Sequence, residues 1–170
     1  MKLNKQERLI LINQYLILEK LDPSNAGDLA RYREALEMGY SRHYAEPPNA
    51  SLHEEMSLER CDLVIEILNM YRNLIFSSQK LNNGKSDVKF SGFDGNEASE
   101  NDMLIYADYY VRDLSRFKEI EENLENENSF NSHFPMLETY KNMLEVYRGK
   151  LARNKFGNLS EDDIKEIERA

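Results

Sequence analysis

Residues 130–144, FNSHFPMLETYKNML, decide the fold because they join a polar loop to a clearly marked helix start. Pro135 suits the first turn of a helix, where a missing N–H costs nothing. Asn131 or Ser132 is placed to cap that helix. Apolar residues then recur at helical spacing, namely Met136, Leu137, Tyr140, Met143, Leu144 and Tyr147. The stretch therefore predicts a helix over residues 135–148.

The same periodicity continues towards both ends of the chain. It predicts helices over residues 4–21, 25–38, 51–81 and 96–122, and a last short helix after Gly157. Only residues 88–93 have an extended pattern, and they are too isolated to form a sheet. The sequence predicts an all-α, multi-helix, mostly antiparallel bundle with a long central helix.

The long pattern over residues 51–81 bears on domain organisation. A continuous helix of roughly 30 residues would be about 45 Å long, more than a compact domain of this size covers. We expect that it breaks near Ser57 or extends towards a partner. The expected organisation is one domain over residues 1–170, with a protruding helical hairpin around residues 51–81 as an option.

The first predicted helix carries an unusually wide apolar surface. Its apolar residues are Leu9, Ile10, Leu11, Ile12, Tyr15, Leu16, Ile17, Leu18 and Leu21. They cover far more than the ~100° stripe of an ordinary surface helix. Asn13 and Gln14 lie within this surface and need hydrogen-bond partners if they are buried. This helix is predicted to be central or shared with a second copy, which makes the chain a homodimer or higher oligomer.

Composition limits the function classes. The formal net charge is −9, and no Lys/Arg stripe is evident, so direct nucleic-acid binding is not expected. No run approaches the ~18 apolar residues of a membrane span, and no secretory signal is recognisable. Cys61 is the single cysteine, and its apolar neighbours predict a buried, inert thiol. The predicted location is the cytoplasm.

Catalytic and metal motifs are absent from the sequence. His53-Glu54 begins an H-E-x-x-H pattern, but Ser57 holds the place of the second histidine. Asp94-Gly95-Asn96 resembles the start of a calcium loop, yet Ile105 stands where the closing glutamate belongs. Phosphate-binding and serine-hydrolase motifs are also missing. The sequence predicts no catalytic residue, no metal ligand and no cofactor, and His43 and His53 are interpreted as surface residues.

Polar residues next to two loops allow two interpretations. In the first, Asp94, Asn96, Ser51 and Ser160 cap helices, as Asn131 and Ser132 also can. In the second, Arg116, Asn131, Ser132 and His133 bind a ligand, because the imidazole titrates near neutral pH and N–H groups at a helix start attract anions. If residues 96–122 form one helix packed antiparallel on the next, the loop at Asp94 lies roughly 35 Å from His133. We expect that the two loops share a pocket only if this helix breaks or if a symmetric neighbour brings its copy across.

Several short motifs resemble the YfbU domain family of small prokaryotic proteins, over essentially the whole chain. They are Arg8-Leu9-Ile10-Leu11, Asn13-Gln14-Tyr15, Leu21-Asp22, Gly39-Tyr40, Phe90, Gly92-Phe93-Asp94, Arg116-Phe117, Phe130-Asn131-Ser132, Pro135-Met136, Tyr140 and Met143-Leu144. The resemblance implies an all-helical fold and points to no established reaction. Some members carry helix-turn-helix segments, which implies a ligand-sensing or oligomerising role. Tyr147 departs from the family, where a Trp is familiar.

Three hypotheses about function follow. The first is a homo-oligomeric interaction or ligand-binding module with a regulatory role, whose partners are its own second copy and a small-molecule ligand. The second is a small-molecule enzyme that uses His133 with Arg116 or Asp94. The third is a toxicity or antitoxin-type regulator that acts through a protein partner.

Overall fold

The computed structural model describes residues 2–44, 54–126, 129–153 and 158–170, and these residues form an all-α fold. The chain divides into two compact units, Met1–Glu54 and Glu55–Ala170. Within the described residues, the only β-type pairings are two isolated bridges, Phe90 with Leu124 and Phe93 with Asn131. The prediction of an all-α fold is confirmed, while the prediction of one domain over residues 1–170 stays a prediction.

The first unit is a pair of packed helices, α1 (Lys5–Leu21) and α2 (Ala26–Met38), followed by a 3-10 turn at Ser41–His43. Asn4 caps α1, since its side-chain oxygen accepts from the N–H groups of Gln6 and Glu7 at 2.8 and 3.0 Å. Gly39 ends α2 with a φ of +78°. No residue of α1 is fully buried, so one side of this helix is left uncovered.

The second unit is built around α3 (Leu58–Leu81). Ser57 is the N-cap of α3. The helical pattern over residues 51–81 therefore breaks at Ser57, which is the first of the two outcomes expected for so long a pattern. The middle of α3 is fully buried, at Ile67, Leu68 and Leu74 among others. It is therefore a core helix of this unit, while the option of a protruding hairpin around residues 51–81 stays a prediction. The predicted cap Ser51 lies outside the described residues.

The prediction of one helix over residues 96–122 is wrong. The structure has α4 (Asn101–Asp108), a π-helical turn at Tyr109–Asp113 and the short α5 (Lys118–Glu121). Between them, Ser115 and Phe117 adopt left-handed φ values of 52° and 53°. Side-chain periodicity continues through such a break, because the apolar residues on both sides still face one core. Periodicity alone could not detect it.

The unit ends with α6 (Leu137–Arg153) and α7 (Glu161–Glu168). Ser160 is the N-cap of α7 and forms a capping box with Asp163. The core between α3, α4, α6 and the loops is aromatic, and Tyr140 and Phe90 at its centre stack with ring centroids 5.7 Å apart. Cys61 on α3 is only half-buried, contrary to expectation. Among the described helices, none is long and apolar enough to cross a membrane.

Candidate functional site

Two loops carry the densest sequence motifs, one around Gly92-Phe93-Asp94 and the other from Phe130 to Met136. They meet in the second unit and are called the joined loops below. The N–H of Phe93 donates to the carbonyl of Phe130 at 2.9 Å, and the N–H of Ser132 donates to the carbonyl of Phe93 at 3.1 Å. The expected separation of roughly 35 Å is therefore wrong, because it assumed an unbroken helix over residues 96–122. Because the helix is interrupted at Ser115 and Phe117, no single straight helix separates the two loops.

Gly92 is what allows this close approach. Its φ is +86°, and a Cβ at this position would lie 2.0 Å from the carbonyl oxygen of Phe130. Only glycine fits such a site. The carbonyl of Gly92 accepts a 2.7 Å hydrogen bond from the hydroxyl of Tyr140. Burial raises the pKa of Tyr140 well above its ordinary value, so this hydroxyl stays protonated and remains a donor.

Most of the predicted ligand-binding residues on this loop have structural partners. The side-chain oxygen of Asn131 accepts from the N–H groups of Gly95 and His133 at 3.1 and 2.9 Å. The hydroxyl of Ser132 donates to the carbonyl of Phe134 at 2.7 Å. His133 is exposed and has a φ of 61°. Asn131 and Ser132 thus hold the loop together, while the imidazole faces solvent.

Asp94 and Asn96 are not helix caps, contrary to that prediction. The helix they precede begins only at Asn101, and its N-cap is Glu100. Asp94 instead closes a local turn, since its carboxylate accepts from the backbone N–H of Asn96 at 2.9 Å and from the Asn96 amide at 3.3 Å. The intervening residues 97–100 form hydrogen-bonded turns that sequence reasoning assigned to the helix.

Glu100 is the residue that sequence reasoning missed. It is 1% exposed, whereas glutamates mostly lie at protein surfaces. Its carboxylate accepts from the backbone N–H groups of Met136 at 2.8 Å, Leu137 at 2.7 Å and Asp94 at 2.9 Å. A carboxylate at a helix N-terminus satisfies free N–H groups and opposes the positive end of the helix dipole. Glu100 therefore caps α6 and ties it to the loop at Asp94, the role predicted for Asn131 or Ser132.

The residues of the enzyme hypothesis are not joined by direct contacts. In the described part of the chain, no hydrogen bond or ion pair links the side chain of His133 to Asp94 or Arg116. Asp94 is buried within its turn, and Arg116 lies elsewhere in the second unit. The structure thus brings the loops of Asp94 and His133 together without pairing their side chains.

Arg116 lines an open cavity of about 540 Å³ with Tyr110, Lys118 and Arg72. Its guanidinium contacts Tyr110, donating to the hydroxyl at 3.2 Å. Arg72 lies 3.7 Å above the ring of Phe117 and pairs with Glu119. Neither Arg116 nor Lys118 has a carboxylate partner within the described residues. The cavity therefore has three cations and one carboxylate on a chain of net charge −9.

The first unit carries a different kind of candidate site, the uncovered side of α1. Five large apolar side chains lie on it with 43–74% of their surface exposed, namely Leu9, Ile10, Leu16, Ile17 and Leu21. The opposite side of α1 packs on α2, where Tyr15 stacks on Tyr32 with centroids 6.2 Å apart. Burial raises the pKa of Tyr15. The exposed side is called the α1 face below.

Comparison with known proteins gives a family for the whole chain. The YfbU domain model matches residues 1–170. The UPF0304 protein MJECS11 of Methanocaldococcus jannaschii is 31% identical over 171 aligned residues, which cover 97% of this chain and 98% of that protein. The matched residues span both units.

Proposed function

The chain belongs to the YfbU domain family, and we propose that it acts within that family as a self-associating interaction module. The observation that carries this proposal is the α1 face. Of the fifteen large apolar residues exposed in the described chain, six lie on this single helix of 17 residues. Such a concentration on one element is the property that distinguishes an interaction surface from scattered surface hydrophobics.

The size of the α1 face supports a protein partner over a small molecule. The helix is about 25 Å long and about 10 Å wide, so the apolar stripe projects over roughly 250 Å². A stripe of this length is convex and has no enclosing walls, whereas small-molecule sites are concave. A second copy of α1 is the simplest occupant, since it supplies an apolar surface of the same length. We expect an interface of at least ~1,000 Å² that has this stripe at its centre.

Light scattering of the full chain tests the proposal. The wild-type protein at micromolar concentration should have the mass of a dimer or a higher symmetric oligomer. Ile10→Glu should shift the mass towards the monomer, because the charge would be buried without a partner. Ile105→Glu is the matched control, since both isoleucines are 58% exposed and only Ile10 lies on the α1 face. A monomeric wild type, or equal effects of the two variants, would overturn the proposal.

A second candidate function is favoured by the cavity at Arg116. Arg116 and Lys118, which have no carboxylate partner in the described part of the chain, line this cavity together with the rings of Tyr110 and Phe117, and the guanidinium of Arg116 lies 5.4 Å from the centroid of Tyr110. Cations beside aromatic rings suit a flat ligand with a carboxylate or phosphate group. Ser115 and Phe117 hold left-handed backbone conformations at the same place, and strain of this kind clusters at binding sites. We propose this cavity, rather than Asn131 and Ser132, as the place for a small anionic ligand.

Titration with benzoate and with inorganic phosphate, followed by amide chemical shifts, tests the second candidate. Shifts should concentrate at residues 110–119 and be lost in Arg116→Gln. Arg31→Gln is the control, because Arg31 is also a surface arginine but lies in the first unit. Shifts spread evenly over all surface cations would contradict a site at Arg116.

The remaining hypotheses stay open as alternatives. An enzyme using His133 with Arg116 or Asp94 requires these side chains to converge when a substrate binds. A regulator that acts through a different protein partner would use the same α1 face, and it would be recognised by a wild type that is monomeric until the partner is added. We propose the cytoplasm as the location, where the half-buried thiol of Cys61 stays reduced.

A further inference from the structure

The central part of the α1 face is symmetric about Asn13. Leu9 and Ile17 lie four residues before and after Asn13, and Ile10 and Leu16 lie three residues before and after it. At 100° per residue all five share one side of the helix, with Asn13 at its centre. The exposed fractions match for the outer pair, with 57% at Leu9 and 59% at Ile17, while Ile10 is 58% and Leu16 is 43% exposed.

From this symmetry we infer that two copies of α1 pair antiparallel across a twofold axis that passes between the two Asn13 side chains. This inference rests on the proposed self-association and adds its geometry. In an isologous contact, each residue i meets residue j of the other copy, and j meets i. With Asn13 on the axis, Leu9 meets the second copy's Ile17 and Ile10 meets its Leu16. Every large apolar residue of the inner stripe then has an apolar partner.

Asn13 has a specific role in this arrangement. An amide offers one acceptor oxygen and two N–H donors, so two asparagines on a twofold axis can form a reciprocal pair of hydrogen bonds. A polar residue in an apolar seam must be satisfied when it is buried. A single asparagine at such a position fixes the register and orientation of paired helices. Slipping the pair by one turn would bury each amide against leucine or isoleucine without a partner.

The charges at the ends of the stripe favour the antiparallel orientation over the parallel one. Lys20 lies seven residues after Asn13 on the same side of the helix, and Gln6 lies seven residues before it. Antiparallel pairing places each lysine beside the other copy's glutamine. Parallel pairing would place the two lysines together and align the two helix dipoles. Like charges in contact are unfavourable, so the two orientations are not equivalent.

Disulfide cross-linking of the full chain tests the register. Cys61→Ser provides the cysteine-free background. Paired helix axes lie about 8–10 Å apart, and the Cα atoms lie about 2.3 Å from each axis, so facing Cα atoms approach to about 5 Å. That separation is within disulfide reach. On mild oxidation, Asn13→Cys should form a covalent dimer with itself.

Leu9→Cys tests the same register with the opposite expected result to Asn13→Cys. Alone it should form no covalent dimer above background, because the two copies of residue 9 would lie about 12 Å apart along the axis. Mixed with a size-tagged Ile17→Cys chain, it should form the mixed covalent dimer. Cross-linking of Leu9→Cys with itself would show a parallel pair and overturn the inference.

The mass of the wild type distinguishes a failure of the proposed twofold register from a failure of the proposed self-association. A dimer by light scattering in which Asn13→Cys does not cross-link would overturn the twofold register and leave self-association standing. A monomer would overturn both. As an independent check, Asn13→Asp should lower the dimer fraction at pH 7, where two carboxylates would face each other, and restore it below about pH 4, where they are protonated. A dimer fraction that does not change with pH in this variant would overturn the pairing of residue 13 with itself.

Discussion

The carboxylate of Glu100 accepts a 2.8 Å hydrogen bond from the backbone N–H of Met136, a residue 36 positions further along the chain. The same oxygen accepts from Leu137 at 2.7 Å. One buried charge thus satisfies the start of α6 and fixes the loop before it. This contact and the hydrogen bond from the N–H of Gly95 to Asn131 both hold the loop at Asp94 in place.

Glu100→Gln should lower the free energy of unfolding by about 1–3 kcal/mol, because the amide has one acceptor where the carboxylate has two and turns N–H groups towards N–H groups. Urea unfolding measures the loss. Glu138→Gln is the matched control, since Glu138 lies in the first turn of the same helix with its side chain 81% exposed. It should lose no more than about 1 kcal/mol. Equal losses would mean that Glu100 contributes only through the helix dipole.

Gly92→Ala should destabilise the second unit far more than Gly84→Ala. The two glycines have similar φ values, +86° and +91°, but a Cβ at Gly92 would overlap the carbonyl of Phe130 while one at Gly84 has nothing within 4 Å. Gly84→Ala should therefore cost only about 1–2 kcal/mol, the penalty of a left-handed backbone. Thermal unfolding compares them, and loss of a cooperative transition in Gly92→Ala counts as the expected result. Similar melting temperatures of the two variants would contradict the close approach of Gly92 to the carbonyl of Phe130.

Tyr140→Phe should cost about 1–3 kcal/mol, since it leaves the buried carbonyl of Gly92 without its donor. The ring and its packing stay in place, so the fold should survive. Tyr109→Phe serves as the control because Tyr109 is 46% exposed and should change stability little. Denaturant midpoints measure both variants. No difference between them would show that water replaces the hydroxyl.

The capping box of α7 gives a pH-dependent prediction. Hydrogen bonds from Ser160 and then Lys150 lower the pKa of Asp163 to about 2, below the ordinary value of about 3.9. A lowered carboxyl pKa stabilises the fold fully above the ordinary value, and this contribution is lost as the pH falls towards 2.

Asp163→Asn should accordingly be less stable than the wild type at pH 7, and the difference should shrink between about pH 4 and pH 2. Urea midpoints at several pH values measure it, and carbon chemical shifts of the Asp163 carboxyl report its pKa directly. Asp162 shares the first turn of α7 but is exposed and is not part of the capping box, so Asp162→Asn is the control. A difference between wild type and Asp163→Asn that persists unchanged to pH 2 would contradict the lowered pKa.

Helix positions were predictable where a local signal marked them. Asn4 with Glu7, Gly39 after α2, and Pro135 before α6 each mark a boundary that the structure shows near the predicted place. The break near Ser115 had no such signal, because neither Ser115 nor Phe117 is a residue type that favours a left-handed backbone. Their conformations come from tertiary packing, including the contact of Phe117 with Arg72.

The sequence by itself determined the all-α class, the capping of its clearest helices and the wide apolar surface of α1, because these depend on side-chain periodicity and on groups within four residues of each other. Only the tertiary structure decided that Glu100 is buried, that Gly92 touches Phe130 and that the two loops meet. Those contacts join residues 36 or more positions apart. Local sequence patterns do not show which distant backbone groups will be buried. A backbone N–H or C=O group requires a hydrogen-bond partner from the protein only after packing has excluded water from it.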